Sequence, residues 1–220
     1  MARPWIFCAI LAGPESTPFP RPMKIRRILL SFVCAGAALC SLRADDFKPE
    51  PGFVSLFNGQ DLTGWCYRDE GKPDAAASAS FDGKLESTDA RYSAANGALV
   101  VHPKTPRQIS KIWTQQEFPK NFELRLEFRA AVNSDSGIFI RGPQLQCRDY
   151  LVAGPYKTLA KYKPQDWNEI VVVVKDGVAH CTCNGEVLEA ALKLPATGPI
   201  GFEGDRGMME YRRIRLKELP

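Results

Sequence analysis

The chain has 220 residues, with 29 Lys and Arg against 25 Asp and Glu and a net charge of +4. Six of the basic residues but only one acidic residue fall within positions 1–44, so the remaining 176 residues carry 23 basic and 24 acidic groups, a net charge of −1. That balance leaves no basic footprint for nucleic acid or an anionic membrane surface, and 176 residues suffice for one well-filled core.

In chain order, the first recognisable segment starts at Met23. Lys24, Arg26 and Arg27 form a basic region, Ile28 to Leu42 is apolar but too short for a stable membrane span, and Leu42-Arg43-Ala44 puts a small residue before Asp45. These are the parts of a secretory signal peptide. The expectation is that positions 1–22 are not translated, 23–44 are the signal peptide, and 45–220 form a single exported domain, periplasmic or extracellular, with no membrane span after signal removal. Leu39 before Cys40 argues against a lipoprotein anchor.

Asp45 to Pro51 reads as a polar tether, and Gly52 to Phe57 as a strand ended by a turn at Asn58-Gly59. Leu62 to Trp65 is a compact loop, with Trp65 expected as a buried plug at a sheet edge. From Asp69 to Ser93 the composition shifts to Ala, Ser, Asp and Gly without apolar periodicity, which predicts an exposed excursion with little regular structure. Ala98 to Val101 and Ile112 to Thr114 read as short strands. Gln144 to Asp149 alternates again, and Gly154 to Pro164 is a loop carrying Tyr156 and Tyr162. Ile170 to Val174 is apolar at every position, so it predicts a central strand covered on both faces. Asp176-Gly177 and Asn184-Gly185 are hairpin signals. Ile200 to Glu203 and Glu210 to Glu218 complete the strands, the last with Ile214 and Leu216 inward.

The stretch Asn121 to Arg141 carries the sharpest pattern. Phe122, Leu124, Leu126 and Phe128 alternate with Glu123, Arg125, Glu127 and Arg129, the period of a strand with one buried face. A turn-rich Asn133 to Gly137 follows, then Ile138 to Arg141. If these two runs pair as a hairpin, one sheet face gathers carboxylates, guanidiniums and an aromatic ring. Such a face suits a sugar, whose C–H faces stack on rings while its hydroxyls bond to charges. It equally suits a solvated face laced with weak ion pairs.

Seven cysteines become four after position 44: Cys66, Cys147, Cys181 and Cys183. Three pairings are open to them in an oxidising compartment; Cys181 and Cys183 share a strand face and do not suit each other. His102 and His180, each without a ligand cluster at metal spacing, read as structural histidines. No helical stripe exceeds about two turns, and short strands recur between turn signals, so the class is all-β: a two-sheet antiparallel jelly-roll sandwich. No Gly-rich phosphate loop, Ser elbow or His-Glu-x-x-His motif is present.

Several segments fall in one family's order: GFVSLFNGQDLTGW at 52–65, LEFR at 126–129, SGIFIRG at 136–142, WNEI at 167–170, CNGE at 183–186, GPIGFEGDRG at 198–207 and YRRIRLKEL at 211–219. Together they resemble the 3-keto-disaccharide hydrolase domain family. The resemblance implies a concanavalin-A-like or LamG-like sandwich acting on a small saccharide already oxidised at C3. Two positions depart from the family's usual pattern: Gln144 where a Glu is common, and Gly204-Asp205-Arg206-Gly207 where an Asp-His-Gly is common.

A keto group at C3 acidifies the C2 proton, so a base, a donor on the enolate oxygen and an acid for the leaving group suffice. The paired carboxylates of ordinary glycosidases are not required. The expected roles are Glu127 as base, Arg141 with Arg129 on the enolate oxygen and Glu203 as acid. Phe139 is the expected stacking platform, Gln146 a hydroxyl ligand and Arg212 a further binding residue. Cross-strand ion pairs account for the same residues as well. No metal or other cofactor is expected, since a divalent ion on Glu127 and Glu203 has no ligand spacing behind it. Three readings stay open: an enzyme on 3-keto-glycosides, a non-catalytic carbohydrate-binding module, or a structural or interaction domain of the cell envelope. Which sugar is bound and the oligomeric state are left open.

Overall fold

The computed structural model describes residues 47–69 and 77–220. The expected untranslated segment and signal peptide lie outside them. Among the described residues fourteen strands follow in chain order. The first seven are β1 (Val54–Ser55), β2 (Trp65–Arg68), β3 (Ala77–Ser80), β4 (Tyr92–Ala95), β5 (Ala98–Val101), β6 (Ser110–Thr114) and β7 (Phe122–Ala130). The rest are β8 (Asp135–Ile140), β9 (Gln144–Arg148), β10 (Asn168–Lys175), β11 (Val178–Cys183), β12 (Glu186–Lys193), β13 (Ile200–Gly204) and β14 (Met209–Glu218). They form two antiparallel sheets. One has eight strands in the order β12-β11-β10-β7-β14-β5-β4, with β1 added alongside β14; the other has six, β3-β2-β6-β13-β8-β9. The all-β sandwich is as expected. Among the described residues no helix is long and apolar enough to cross a membrane.

The alternation in β7 places Phe122, Leu124, Leu126 and Phe128 in the core and leaves their neighbours half-buried on the other face. From the six-stranded sheet, Trp65, Ile112, Ile138, Ile140 and Phe202 meet them in one cluster. Each such side chain contributes roughly 1.5–3 kcal/mol by leaving water. Phe202 stacks on Tyr211 across the sandwich, with ring centroids 4.2 Å apart. Two buried phenols also tie the layers. The Tyr92 hydroxyl lies 2.8 Å from the Ser110 carbonyl and 3.1 Å from that of Phe202. The Ser136 hydroxyl donates to the Glu203 carbonyl at 2.6 Å and lies 2.8 Å from the Tyr211 hydroxyl.

The hairpin turns behave as their residues dictate. Asp176-Gly177 and Asn184-Gly185 hold left-handed φ at both positions, 49° and 75° in the first and 48° and 81° in the second. That is the twist-matched turn joining β10 to β11 and β11 to β12. The pairing of β7 with the following run is different. β7 pairs with β10 and β14, whereas β8 pairs with β13 and β9 in the other sheet. The turn between them, closed by Ser134 N–H on the Ala131 carbonyl at 3.0 Å, is therefore a crossing from sheet to sheet, not a hairpin.

Three smaller expectations change as well. Trp65 is fully buried, but β2 lies between β3 and β6 rather than at an edge; the ring faces the core and its Nε1 donates to the Leu56 carbonyl at 3.0 Å. β10 is interior to its sheet, yet Val171 and Val173 stay half-buried, so only one face is covered by the second layer. The stretch expected to be irregular contains β3 and the start of β4; residues 70–76 of it lie outside the described residues. Cys66, Cys147, Cys181 and Cys183 are all buried free thiols. His102 is satisfied structurally, its Nε2 lying 2.8 Å from the Ser93 hydroxyl; His180 is exposed.

Candidate functional site

The crossing after β7 divides the expected site between the two outer faces of the sandwich. Glu127, Arg129 and Arg212 face outward from the eight-stranded sheet; Phe139, Gln146 and Glu203 face outward from the six-stranded one. Packed sheets lie about 10 Å apart, and both sets point away from that interface. Glu127 and Glu203 therefore cannot share a substrate atom or a metal ion. Among the described residues no group of three metal-ligating side chains occurs.

On the eight-stranded face each expected residue has a structural partner. Glu127 accepts from Arg212 Nε at 2.7 Å and from Arg213 at 2.8 Å. Arg129 is bidentate to Glu210, at 2.6 and 2.9 Å. Both Arg129 and Arg212 lie over the Trp167 ring, 4.8 and 3.9 Å from its centroid. A shallow hollow of about 380 Å³ lies beside Glu127, Trp167 and Arg212, but its carboxylate is already neutralised by two guanidiniums. Arg141 joins neither face. It ends β8 with a left-handed φ of 54° and is 4 % exposed. Its guanidinium donates to the carbonyls of Lys120 and Pro195 at 2.5 and 3.2 Å and lies 5.3 Å from the Phe122 ring centroid. Burial lowers its pKa from the usual arginine value. It is a strut between segments, not a ligand for an enolate.

The six-stranded face is built differently. Ile112, Ile138 and Phe202 point inward, so Lys111 and Trp113 of β6, Gly137 and Phe139 of β8, and Gly201 and Glu203 of β13 point outward. Cys66, Trp113 and Phe139 make a small apolar cluster on this outer side, with the two rings edge to face at 5.5 Å. Gly201 is required beneath it, since a Cβ there would lie 2.4 Å from the Trp113 ring. Gly137 lies under Gln144, whose amide nitrogen a Cβ there would displace.

Glu203 stands at the centre. Its side chain is 13 % exposed. Lys111 Nζ lies 4.0 Å from Oε1, and Gln144 Nε2 donates to Oε2 at 3.1 Å. Burial pushes its pKa above the ordinary glutamate value. Lys111 and Gln144 oppose that rise, while the Asp205 and Asp135 charges add to it. No guanidinium pairs with Glu203 among the described residues. A half-buried carboxylate held above its usual pKa beside one ammonium is a recognised mark of proton-transfer chemistry. The neighbouring acids are committed elsewhere. Asp205 is clamped by Arg107 Nε and, at 2.7 Å, by its Nη2. Asp135 accepts from Gln146 at 2.8 Å, Arg148 at 3.0 Å and Arg206 at 3.3 Å.

Two expected binding roles change with this geometry. Phe139 is 9 % exposed and Lys111 Nζ lies 5.0 Å from its ring centroid, so the ring is not an open platform. The Gln146 amide nitrogen is engaged by Asp135 and by the Ser136 carbonyl at 3.0 Å, not left for a hydroxyl. Lys111 and Trp113 are the additions. Their signal is present in the chain: they take the parity opposite to Ile112 within one five-residue strand.

Comparisons with known proteins agree with this architecture. A candidate glycosyl hydrolase of Parabacteroides distasonis superposes with a TM-score of 0.57 at 18 % identity, over 77 % of this chain and 94 % of the other. A carbohydrate-binding module of Bacillus subtilis superposes with a TM-score of 0.50 at 8 % identity, over 75 % and 100 %. At these identities the likeness is one of fold. No curated protein matches the chain. Residues 52–217, nearly the whole sandwich, match one family along their length, so the chain belongs to the 3-keto-alpha-glucoside-1,2-lyase-like domain family.

Proposed function

We propose that the outer face of the six-stranded sheet cleaves the glycosidic bond of a 3-keto-glycoside, with Glu203 as the general base. One observation carries the reading. Glu203 is a poorly solvated carboxylate with a raised pKa, flanked by one ammonium and one amide donor rather than by a neutralising guanidinium. Ionised Glu203 takes the proton from C2, which the C3 ketone acidifies. The electron pair moves onto the C3 oxygen, where the Lys111 ammonium stabilises it. The pair then returns and expels the C1 oxygen, leaving a C1–C2 double bond. The carboxyl that took the C2 proton carries the proton the departing oxygen needs, so elimination balances without a second acid. Water adds across the double bond to complete hydrolysis. The bulk of Trp113 and Phe139 supplies an apolar floor that keeps water from the carboxylate and so makes the ionised form a stronger base.

The family membership supports a carbohydrate as the ligand. The alternative, a binding module without catalysis, calls for open aromatic platforms, and Trp113 and Phe139 are 5 % and 9 % exposed. Export is part of the same proposal, supported by the basic and apolar regions that follow Met23. The test is incubation of the protein from Asp45 onward with 3-keto-trehalose and other 3-keto-glycosides, following free sugar. Release by the wild type and its loss in Glu203→Gln is the expected result. Glycan binding with no release from any 3-keto-glycoside turns the assignment to the binding module.

A further inference from the structure

The ladder between β2 and β6 is short. Its register runs from Trp65 opposite Thr114 to Cys66 opposite Trp113, and β2 is bulged against β3 between Tyr67 and Arg68. Beyond Cys66 the two strands part. A cavity of about 200 Å³ opens between them, with Asp69, Asp89, Gln108, Ser110, Lys111 and Trp113 in its wall. Lys111 is also the residue 4.0 Å from Glu203. The cavity is thus separated from the carboxylate by one side chain.

We propose that this cavity is a second sugar subsite, which holds the leaving saccharide unit while the oxidised ring lies against Glu203. The inference rests on the cleavage reading above. Three observations carry it. The first is size: about 200 Å³ is below the roughly 300–1,000 Å³ of pockets for drug-sized ligands, which suits one ring. The second is charge: the lining is of mixed sign, with Asp69 and Asp89 beside Arg68 and Lys111, rather than of one sign. That suits a neutral polyol rather than a phosphate or an amine. The third is hydrogen-bonding capacity: Asp69, Asp89 and Gln108 set polar groups in the wall. Asp89 is a fixed acceptor, held by the Tyr67 hydroxyl at 2.6 Å and that of Ser87 at 2.8 Å. A disaccharide would then lie across the strands, from β13 over β6 toward β2, with its scissile oxygen near Lys111.

Asp69 and Gln108 are exposed, so their substitution spares the core. The experiment compares 3-keto-trehalose with methyl 3-keto-α-glucoside, whose leaving group has no second ring, on wild type and on Asp69→Ala/Gln108→Ala. Two lost hydrogen bonds of about 0.5–1.5 kcal/mol each raise the ratio of KM for the disaccharide to KM for the methyl glycoside roughly tenfold. Gln108→Trp, which fills the cavity, should raise it further. A ratio that stays at the wild-type value overturns the subsite. If the wild type cleaves neither compound, the cleavage reading falls and the subsite is judged by calorimetry with trehalose and methyl α-glucoside. Selective loss of trehalose affinity in the variants then supports it; equal loss, no loss, or no binding by the wild type overturns it.

Discussion

The two outer faces of the sandwich use the same kinds of side chain to different ends. On the eight-stranded face Glu127, Glu210 and Glu50 are each gripped by guanidiniums at 2.6–2.9 Å. Arginine's planar fork satisfies a carboxylate's lone pairs; the pKa of Glu50, hydrogen-bonded by Arg215, is brought down to about 2. On the six-stranded face Glu203 has a lysine at 4.0 Å and a neutral amide at 3.1 Å, and its pKa rises. Composition does not separate a stabilising lattice from a reactive site. What separates them is whether a guanidinium fork in contact holds the carboxylate or burial prevails over one ammonium at a distance.

The largest expected effect tests that difference directly. Glu203→Gln should lower turnover on a 3-keto-glycoside by roughly 10²–10⁴, the range for a lost general base. An enzyme that loses as much from Glu127→Gln would reverse the roles of the two faces. Next is Lys111→Met. Removing the donor on a developing oxyanion costs roughly 10²–10³ in rate, read as kcat on the same substrate. An undiminished kcat would leave the enolate without its proposed partner.

The acid limb of the pH–rate profile sharpens the comparison further. Glu203 must be ionised to act, so activity should rise with pH through a midpoint above the usual glutamate value. Gln144→Leu removes an interaction that lowers that pKa and should move the limb to higher pH still. Gly137→Ala, which displaces the same amide, should do likewise, and a limb that moves to lower pH in either variant contradicts the arrangement. Stability responds with opposite signs on the two faces. Glu203 is raised in the folded protein, so its contribution is present at low pH and is lost as pH rises through its folded value. Glu50 is lowered to about 2, so its contribution is present above the model-peptide range and is lost as pH falls toward about 2. Glu50→Gln should flatten the acid side of a denaturation curve by only a little, because the pair is half exposed. The smallest expected effect on catalysis is that of Glu127→Gln itself. Turnover should stay within about twofold, while urea unfolding shows a loss of about 1–2 kcal/mol from two weakened charge-assisted bonds, discounted for exposure.

Much of the fold was legible in the chain because it is governed by local rules. Alternation places Phe122 to Phe128 inward, and Asp176-Gly177 and Asn184-Gly185 can be read as tight turns on dihedral grounds alone. Which strands become neighbours is not a local matter. The segment between Ala130 and Asp135 is short and turn-rich whether the chain doubles back or changes layers, and only the ladders to β10, β14, β13 and β9 distinguish these outcomes. That one ambiguity put Glu127 and Glu203 in one imagined cleft. Arg141 was misread for a related reason: its parity within the run is polar, but the strand ends there and its left-handed backbone turns the side chain onto carbonyls. Glu203 itself was readable as a candidate. The burial that raises its pKa depends on Trp113, Phe139 and Lys111 arriving from other strands, which no single segment announces.

The position of β14 has a kinetic consequence. It is the last of the fourteen strands in chain order, yet it lies inside the eight-stranded sheet, bonded to β7 along one edge and to β5 and β1 along the other. Until Met209 to Glu218 is available, β7 lacks one neighbour and Tyr211 cannot bridge to Ser136. Synthesis proceeds at about 5–20 residues per second, and pairings of such long sequence separation form slowly. The ladder between β7 and β14 therefore cannot close until Met209 to Glu218 has been made.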